Sequence, residues 1–202
     1  MKKLLAFGLA GVLISTSAFA VIHIGGQEGQ VNPRFNIDIP TDSFTRDQAI
    51  EVINTVAKTI KEGETKVVFA DVLSEIQIPG EFQTLVQKIV DSRDESATVL
   101  CEGRKCKITS SGDAMTFKVD GVTLPVVGTP SVSLGKAINI FAQVSEDGQS
   151  LEVCRMEGIN IKIGFINTPI EGAMLEVDSE AVKTLRVDAG GGGDYPTANC
   201  DF

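Results

Sequence analysis

The chain has 202 residues, with 18 basic and 27 acidic side chains and a formal net charge of −9 at pH 7. This acidic balance repels nucleic-acid phosphates and anionic lipid headgroups, so it argues against nucleic-acid binding and against polybasic attachment to membranes. The length suits one domain with a single hydrophobic core.

The first 20 residues are typical of a secretory signal peptide. Lys2 and Lys3 provide a positive start, residues 4–14 form a short apolar run, and Ala-Phe-Ala at 18–20 fits the pattern before a cleavage site. Cleavage would leave Val21 first in a mature chain with a net charge of −11. The cleavage site has no cysteine to which a lipid anchor could be attached. No later apolar run is long enough for a membrane helix. We therefore expect a bacterial exported protein, periplasmic or extracellular, with no transmembrane segment in the mature chain.

The glycine and proline residues within 21–44 predict an extended N-terminal arm with room for one short strand. Only part of this arm should pack on the rest of the protein. The clearest predicted helix begins after Thr45, which forms a capping box with Gln48, and runs towards Gly63. Its apolar residues recur at steps of three and four, so one face should lie on a core.

Two short strands and a second helix are predicted next. Residues 65–70 indicate a buried strand, and residues 74–78 alternate with two isoleucines on one side. After Pro79 and Gly80, apolar residues between 82 and 90 fall on one helical stripe, which predicts a second amphipathic helix.

From Ala97 onward the apolar period becomes two, which is typical of strands. The Asp-Gly pairs at 120–121 and 147–148 each separate alternating runs and so predict hairpins. The sequence favours an α+β fold: a mainly antiparallel sheet of about seven to nine strands in the C-terminal half, with two amphipathic helices packed on it. Residues 45–189 would form this single domain, followed by a glycine-rich linker and tail at 190–202.

Four cysteines should pair in an oxidising compartment, and they allow three connectivities. Cys101 and Cys106 flank a four-residue segment that fits a hairpin loop, so we prefer that pair, which leaves Cys154 with Cys200 to pin the tail. A redox centre or a zinc site is disfavoured, because the chain has no Cys-x-x-Cys motif and a single histidine.

The sequence gives little support for a catalytic site. His23 lies in the glycine-rich arm, which is an unfavourable place for a general base. Asn36, Asp38 and Asp42 offer oxygen atoms to a calcium ion, but their spacing is not that of a calcium-binding loop. The glycines at 190–193 lack a phosphate-binding pattern, so no cofactor is expected. Paired carboxylates remain open, since 27 acidic residues leave many spatial pairs.

The sequence therefore favours a non-catalytic binding protein that recognises a protein partner or a hydrophobic ligand, with a secreted hydrolase using paired carboxylates as the alternative. A partner would bind at an exposed strand edge. A hydrophobic ligand would need a groove in the sheet, whereas a packed core is the simpler interpretation of the same residues. The predicted ligand face comprises Ile138, Ile140, Ile159, Ile161, Ile163 and Phe165.

Overall fold

The computed structural model describes residues 21–25, 34–38, 44–76, 80–118, 128–178 and 182–189. Three helices lie in these ranges: α1 (Arg46–Thr59), α2 (Phe69–Ser74) and α3 (Gly80–Asp91). The strands of the same ranges are β1 (Val21–Gly25), β2 (Arg34–Asp38), β3 (Gly63–Val68), β4 (Ser96–Glu102), β5 (Lys105–Ser111), β6 (Met115–Lys118), β7 (Ser131–Val144), β8 (Ser150–Ile163), β9 (Ile166–Val177) and β10 (Val182–Ala189).

The described strands form one antiparallel sheet in the order β1-β2-β10-β9-β8-β7-β5-β4-β3, and β6 pairs separately with β7. Seven of these strands, β4 to β10, follow the three helices and run from the middle of the chain into its C-terminal half. The sheet therefore dominates an α+β fold, as the sequence predicted.

Helix α1 begins with the predicted capping box. Thr45 Oγ1 accepts a hydrogen bond from the Gln48 amide at 3.3 Å, and Gln48 Oε1 accepts one from the Thr45 amide at 2.9 Å. These bonds satisfy two amides at the start of the helix. The apolar face then buries Ala49, Ile53 and Val56. The second predicted helix is α3, which buries Val86, Ile89 and Val90.

The strand predicted at 74–78 is wrong for residues 74–76, because α2 ends at Ser74 and a turn follows it, and residues 77 and 78 lie outside the described residues. Val72 of α2 and Ile76, two residues after its end, are both buried, and the helix and its turn therefore replace the predicted strand. The strand predicted at 65–70 is present as β3, but its residues alternate between half-buried and exposed and are not buried throughout.

Within the predicted arm, the structure has two strands where the sequence indicated room for one. β2 pairs with β10 through residues 35–38, and β1 pairs with β2 through all five of its residues. The partner that orders β2 is thus about 150 residues away in the chain. Such a distant pairing leaves no local sign in the sequence.

The predicted hairpin at Asp147-Gly148 is confirmed, since β7 and β8 pair from Val144 and Leu151 outward. The hairpin predicted around Asp120-Gly121 lies largely outside the described residues. Its first strand, β6, pairs with β7.

Asp147 should make this hairpin sensitive to acid. Its carboxylate accepts hydrogen bonds from Ser145 Oγ at 2.6 Å and from the Gln149 amide at 3.0 Å, and these bonds lower the pKa of Asp147 below its ordinary value. A lowered pKa in the folded state adds stability above the unfolded pKa of about 4, and this stability disappears as the pH falls through the folded pKa.

We therefore expect Asp147→Asn to lower the melting temperature slightly at pH 7, and we expect this difference to shrink as the pH falls through the folded-state pKa of Asp147. Thermal unfolding across this pH range measures the difference. Glu146→Gln, in the same turn, should follow the unmodified protein throughout. An Asp147→Asn effect that persisted undiminished in acid would contradict the assignment.

The core lies between the helices and one face of the sheet. Ile53 of α1 and Ile89 of α3 are fully buried there with side chains from β4, β5, β7, β8 and β9. We call the opposite side of the sheet the outer face. It carries Glu64, Lys66 and Val68 of β3, Thr98 and Leu100 of β4, Lys107 and Thr109 of β5, Asn139 and Phe141 of β7, and Arg155 and Glu157 of β8.

Candidate protein-binding edge

The predicted disulfide between Cys101 and Cys106 is confirmed. The two cysteines face each other across β4 and β5 with their Cα atoms 4.1 Å apart, and both are buried in the core. The strands extend further than predicted, so Glu102 pairs with Lys105 and only two residues form the turn. This disulfide links the two strands of the hairpin, and β4 of the hairpin pairs with β3.

Cys154 is also disulfide-bonded and is 6% exposed. It lies in β8 where the pairing with β7 shifts, between Val153, which faces Ala142, and Arg155, which faces Phe141. Its Sγ atom lies 3.3 Å from the Phe141 carbonyl oxygen. The predicted partner, Cys200, lies outside the described residues, so that pairing stays a prediction.

Strand β3 lies at one end of the sheet, and among the described strands β4 alone pairs with it. In antiparallel ladders, facing residues alternate between hydrogen-bonded pairs, about 5.5 Å apart at Cα, and non-hydrogen-bonded pairs, about 4.5 Å apart. The Cα atoms of Cys101 and Cys106 are 4.1 Å apart, so these residues form a non-hydrogen-bonded pair. The backbone groups of Cys101 therefore point away from β5 and bond to Gly63 of β3.

From the pair of Gly63 and Cys101, the direction of the backbone groups alternates from residue to residue along β3. Thr65 and Val67 direct their amide and carbonyl groups towards β4, as Gly63 does. Glu64, Lys66 and Val68 direct theirs away from β4, and the side chains of the same three residues are exposed. Glu64 and Lys66 thus present backbone donors and acceptors on the side of the strand opposite β4, whereas Val68 is the N-cap residue of α2 and its carbonyl belongs to that helix.

A row of facing residues crosses the outer face from this edge to the middle of the sheet. Glu64 faces Leu100, Leu100 faces Lys107, Lys107 faces Phe141, and Phe141 faces Arg155. Lys107 Nζ lies 5.5 Å and Arg155 Cζ 5.3 Å from the centre of the Phe141 ring, both within cation–π range. The row is therefore apolar and exposed at Leu100, and covered by cationic side chains at Phe141.

The next row is held together by hydrogen bonds. Thr109 Oγ1 donates to Asn139 Oδ1 at 3.0 Å, and Asn139 Nδ2 donates to Glu157 Oε2 at 2.9 Å. Glu157 also forms an ion pair with Arg155. The polar side chains of the central strands therefore bind one another, whereas those of β3 remain exposed.

Exposed large hydrophobic side chains occur at two places in the part of the chain described. Val68 is 37% exposed and Leu100 38% exposed, and both lie on the outer face of the β3–β4 pair. Phe165 and Ile166 lie at the turn between β8 and β9. The edge pair thus combines outward backbone groups with apolar contacts, which are the two requirements of strand addition.

The residues predicted to line a ligand groove lie elsewhere. Phe165 does not share their face, because it occupies the β8–β9 turn and is fully exposed. The other five are at most 6% exposed and pack in the core cluster with α1 and α3: Ile138, Ile140, Ile159, Ile161 and Ile163. Their packing matches the simpler interpretation of a filled core.

Other predicted sites are not brought together. His23 and Asn36 face each other across β1 and β2, and Asp38 faces Arg186 of β10, whereas Asp42 lies outside the described residues. In the described part of the chain, no group of three or more His, Cys, Asp or Glu residues could hold a metal ion. An open groove of about 580 Å³ along α1 is lined mainly by polar side chains, among them Arg46, Glu51 and Lys58.

The sequence predicts an exposed strand edge but does not identify the strand that forms it. The alternation of Glu64 and Lys66 with Thr65 and Val67 was the available signal, since charged residues are common on sheet edges. None of the helices in the described ranges is long and apolar enough to cross a membrane. No protein family, curated protein or solved structure matches the chain.

Proposed function

We propose that the protein is exported, is stabilised by disulfide bonds, and binds an extended segment of a protein partner without catalysing a reaction. The partner segment would add to the sheet as a further strand beside β3. The observation that carries this proposal is the outward direction of the backbone groups of Glu64 and Lys66 at the end of the sheet. The signal-like start of the chain and the Cys101–Cys106 bridge support the exported location.

The edge is suited to a specific segment. Six residues of β3 span about 20 Å, enough for an added strand of similar length. Backbone hydrogen bonds would supply affinity, and side chains on alternate residues would supply specificity. Val68 and Leu100 offer apolar contacts, and Glu64 and Lys66 disfavour unselective pairing with other edges because an added strand must match their charges.

A protein partner fits the structure better than a hydrophobic ligand. Five of the six residues of the predicted ligand face are buried in the core, so their apolar surface is already used for folding. The exposed apolar side chains at Val68 and Leu100 lie beside an edge and not inside a groove.

Lys66→Pro should weaken strand addition strongly while keeping the fold. The Lys66 amide points away from β4, so proline at this position removes an outward donor and leaves the β3–β4 ladder intact. Binders selected from a library of random linear peptides provide the probe. For a peptide that protects β3 amides from hydrogen exchange, we expect Lys66→Pro to weaken binding at least about tenfold, a loss of about 1.4 kcal/mol.

Lys66→Ala is the matched control, because it removes the same side chain but keeps the amide. It should bind edge peptides within about threefold of the unmodified protein, a difference of about 0.6 kcal/mol. Phe165→Ser provides a second control, since it removes an exposed aromatic ring from the β8–β9 turn and should have no effect. Selected peptides that protect other amides, or that bind Lys66→Pro normally, would refute strand addition at β3.

A further inference from the structure

Strand β3 carries opposite charges on alternate residues of its exposed side. Glu64 and Lys66 are both exposed, and both direct their backbone amide and carbonyl groups away from β4. Thr65, which lies between them, directs its backbone groups towards β4. The outward side of the edge therefore offers one negative and one positive side chain, each on a residue whose backbone groups face away from the sheet.

Such an edge is complementary to a second copy of itself. In an antiparallel pair, a residue whose backbone groups point across the gap must face another residue of the same kind. When β3 of a second copy runs in the opposite direction, Glu64 of each copy can face Lys66 of the other. Thr65 then faces Thr65 of the second copy on a two-fold axis. The sequence Glu-Thr-Lys at 64–66 is thus its own antiparallel complement.

Charge selects this register over its neighbours. A shift by two residues places either Glu64 opposite Glu64 or Lys66 opposite Lys66, and like charges directly opposite each other are destabilising. A shift by one residue makes outward backbone groups face inward ones, so the hydrogen bonds across the gap are lost. With Thr65 on the axis, both facing pairs combine opposite charges and exchange their backbone hydrogen bonds.

We propose that β3 pairs with β3 of a second copy in this register and joins the two sheets into one. The inference rests on the proposed function, because the same outward groups of Glu64 and Lys66 would receive a partner segment. Self-pairing therefore occupies the edge until a partner segment displaces the second copy. The paired segment runs from Gly63 to Val67, and α2 begins two residues beyond it.

The contact is small, so the dimer should be weak. The paired segment is part of one strand, whereas stable interfaces use about 20–30 residues from each partner. Each copy also carries a formal net charge of −9, which opposes association. A weak dimer suits an edge that must open for a partner segment.

Sedimentation velocity of the full chain tests the pairing at concentrations from about 10 µM to about 1 mM, where weak dimers form. We expect a concentration-dependent dimer that Glu64→Lys weakens at least about tenfold, because the two-fold axis places like charges in both facing pairs. Glu64→Lys also lowers the net negative charge of each copy by two, so a change in general repulsion would act in the opposite direction. Lys66→Glu should weaken the dimer as well.

Two matched combinations restore the opposite charges. The double variant Glu64→Lys/Lys66→Glu exchanges the two signs and should dimerise within about threefold of the unmodified protein. An equimolar mixture of the two single variants should form mixed dimers, because one copy then carries two lysines at these positions and the other carries two glutamates. Circular dichroism should show that each variant is folded.

Amide hydrogen exchange locates the contact. The amides of Glu64 and Lys66 should gain protection as the protein concentration rises, because they bond to the second copy. The amides of Thr65 and Val67 already point towards β4, so their protection should not change. A selected peptide that protects β3 amides should convert the dimer to a monomer, since both use the same edge.

Self-pairing would be overturned by a protein that stays monomeric at about 1 mM, by single variants that dimerise normally, or by a mixture that forms no mixed dimers. An edge peptide that binds without dissociating the dimer would also overturn it. Peptides that protect β3 amides of such a monomer would still support the proposed function. Conversely, a dimer with the expected charge dependence but no edge-binding peptide would refute partner binding and support self-pairing.

Discussion

Replacement of Arg93 by methionine is expected to destabilise the protein by about 3 kcal/mol or more, because it leaves several partly buried carbonyls without a donor. Arg93 lies in the turn between α3 and β4 and is 6% exposed. Its guanidinium donates to the Gly135 carbonyl at 3.0 Å, to the Lys136 carbonyl at 3.4 Å and to the Asp113 carbonyl. One side chain thus joins the helix–strand turn to β7 and to the segment after β5.

Burial of the charged Arg93 side chain is unfavourable by itself. Burial lowers the pKa of the guanidinium, and the nearby carboxylates of Asp94 and Asp113 oppose this effect. Methionine has a similar length but carries neither the charge nor the hydrogen-bond donors. Its substitution therefore has two opposing effects on stability: the cost of burying a charge is removed, and the hydrogen bonds are lost. We expect the hydrogen bonds to dominate, because the carbonyls they satisfy belong to two separate segments, β7 and the segment after β5.

Urea unfolding of Arg93→Met measures this effect. Arg104→Met is the matched control, since exposed Arg104 makes one hydrogen bond, at 2.8 Å, to the Ser145 carbonyl. That change should cost less than about 1 kcal/mol. Arg93→Lys should fall between the two, because a single ammonium group cannot reach all the carbonyls. Equal stabilities of Arg93→Met and Arg104→Met would show that the buried contacts contribute little.

Gly158→Ala should destabilise the protein by about 3 kcal/mol or prevent folding. Gly158 has a φ of 81° and lies where the pairing of β7 and β8 shifts. A Cβ atom there would lie 2.2 Å from the Ala137 carbonyl oxygen and 3.4 Å from the Ile138 Cα atom. Both are backbone atoms of the central strand, so the sheet itself would have to move.

The backbone strain and the steric clash can be measured separately. Gly148 in the β7–β8 turn has a similar φ of 68°, and a Cβ atom on it would meet no atom within 4 Å. Gly148→Ala should therefore cost only the strain of a left-handed residue, about 1 kcal/mol. The difference between the two variants in thermal or urea unfolding gives the contribution of the clash. Similar losses at both positions would mean that β7 moves away at little cost.

Local features were predictable because their causes are local. The capping box of Thr45 and Gln48 and the spacing of apolar residues in α1 and α3 act within a few residues of the chain. The Cys101–Cys106 bridge was predictable for a related reason, since a short hairpin brings two flanking cysteines together. Residues 74–78 were misread because two alternating isoleucines are too few to define a period.

The candidate binding edge depends on interactions that the sequence pattern does not contain. Whether β3 is central or terminal depends on which strands pair, and β3 meets its partner β4 about 35 residues later in the chain. The exposure of Phe165 has a similar origin. Its alternation with Ile161 and Ile163 continues along the chain, but β8 turns at Gly164 and leaves the ring outside the sheet.

The sequence by itself determined the class of fold, two of its helices, the Asp147-Gly148 hairpin and the pairing of Cys101 with Cys106, because short-range hydrogen bonds and side-chain periods specify these features. The tertiary structure decided the order of the strands. That order placed β3 at the end of the sheet with outward backbone groups, and it aligned Leu100, Lys107, Phe141 and Arg155 in one row. Residues far apart in the chain become neighbours only through strand pairing, so this surface exists only in the folded sheet.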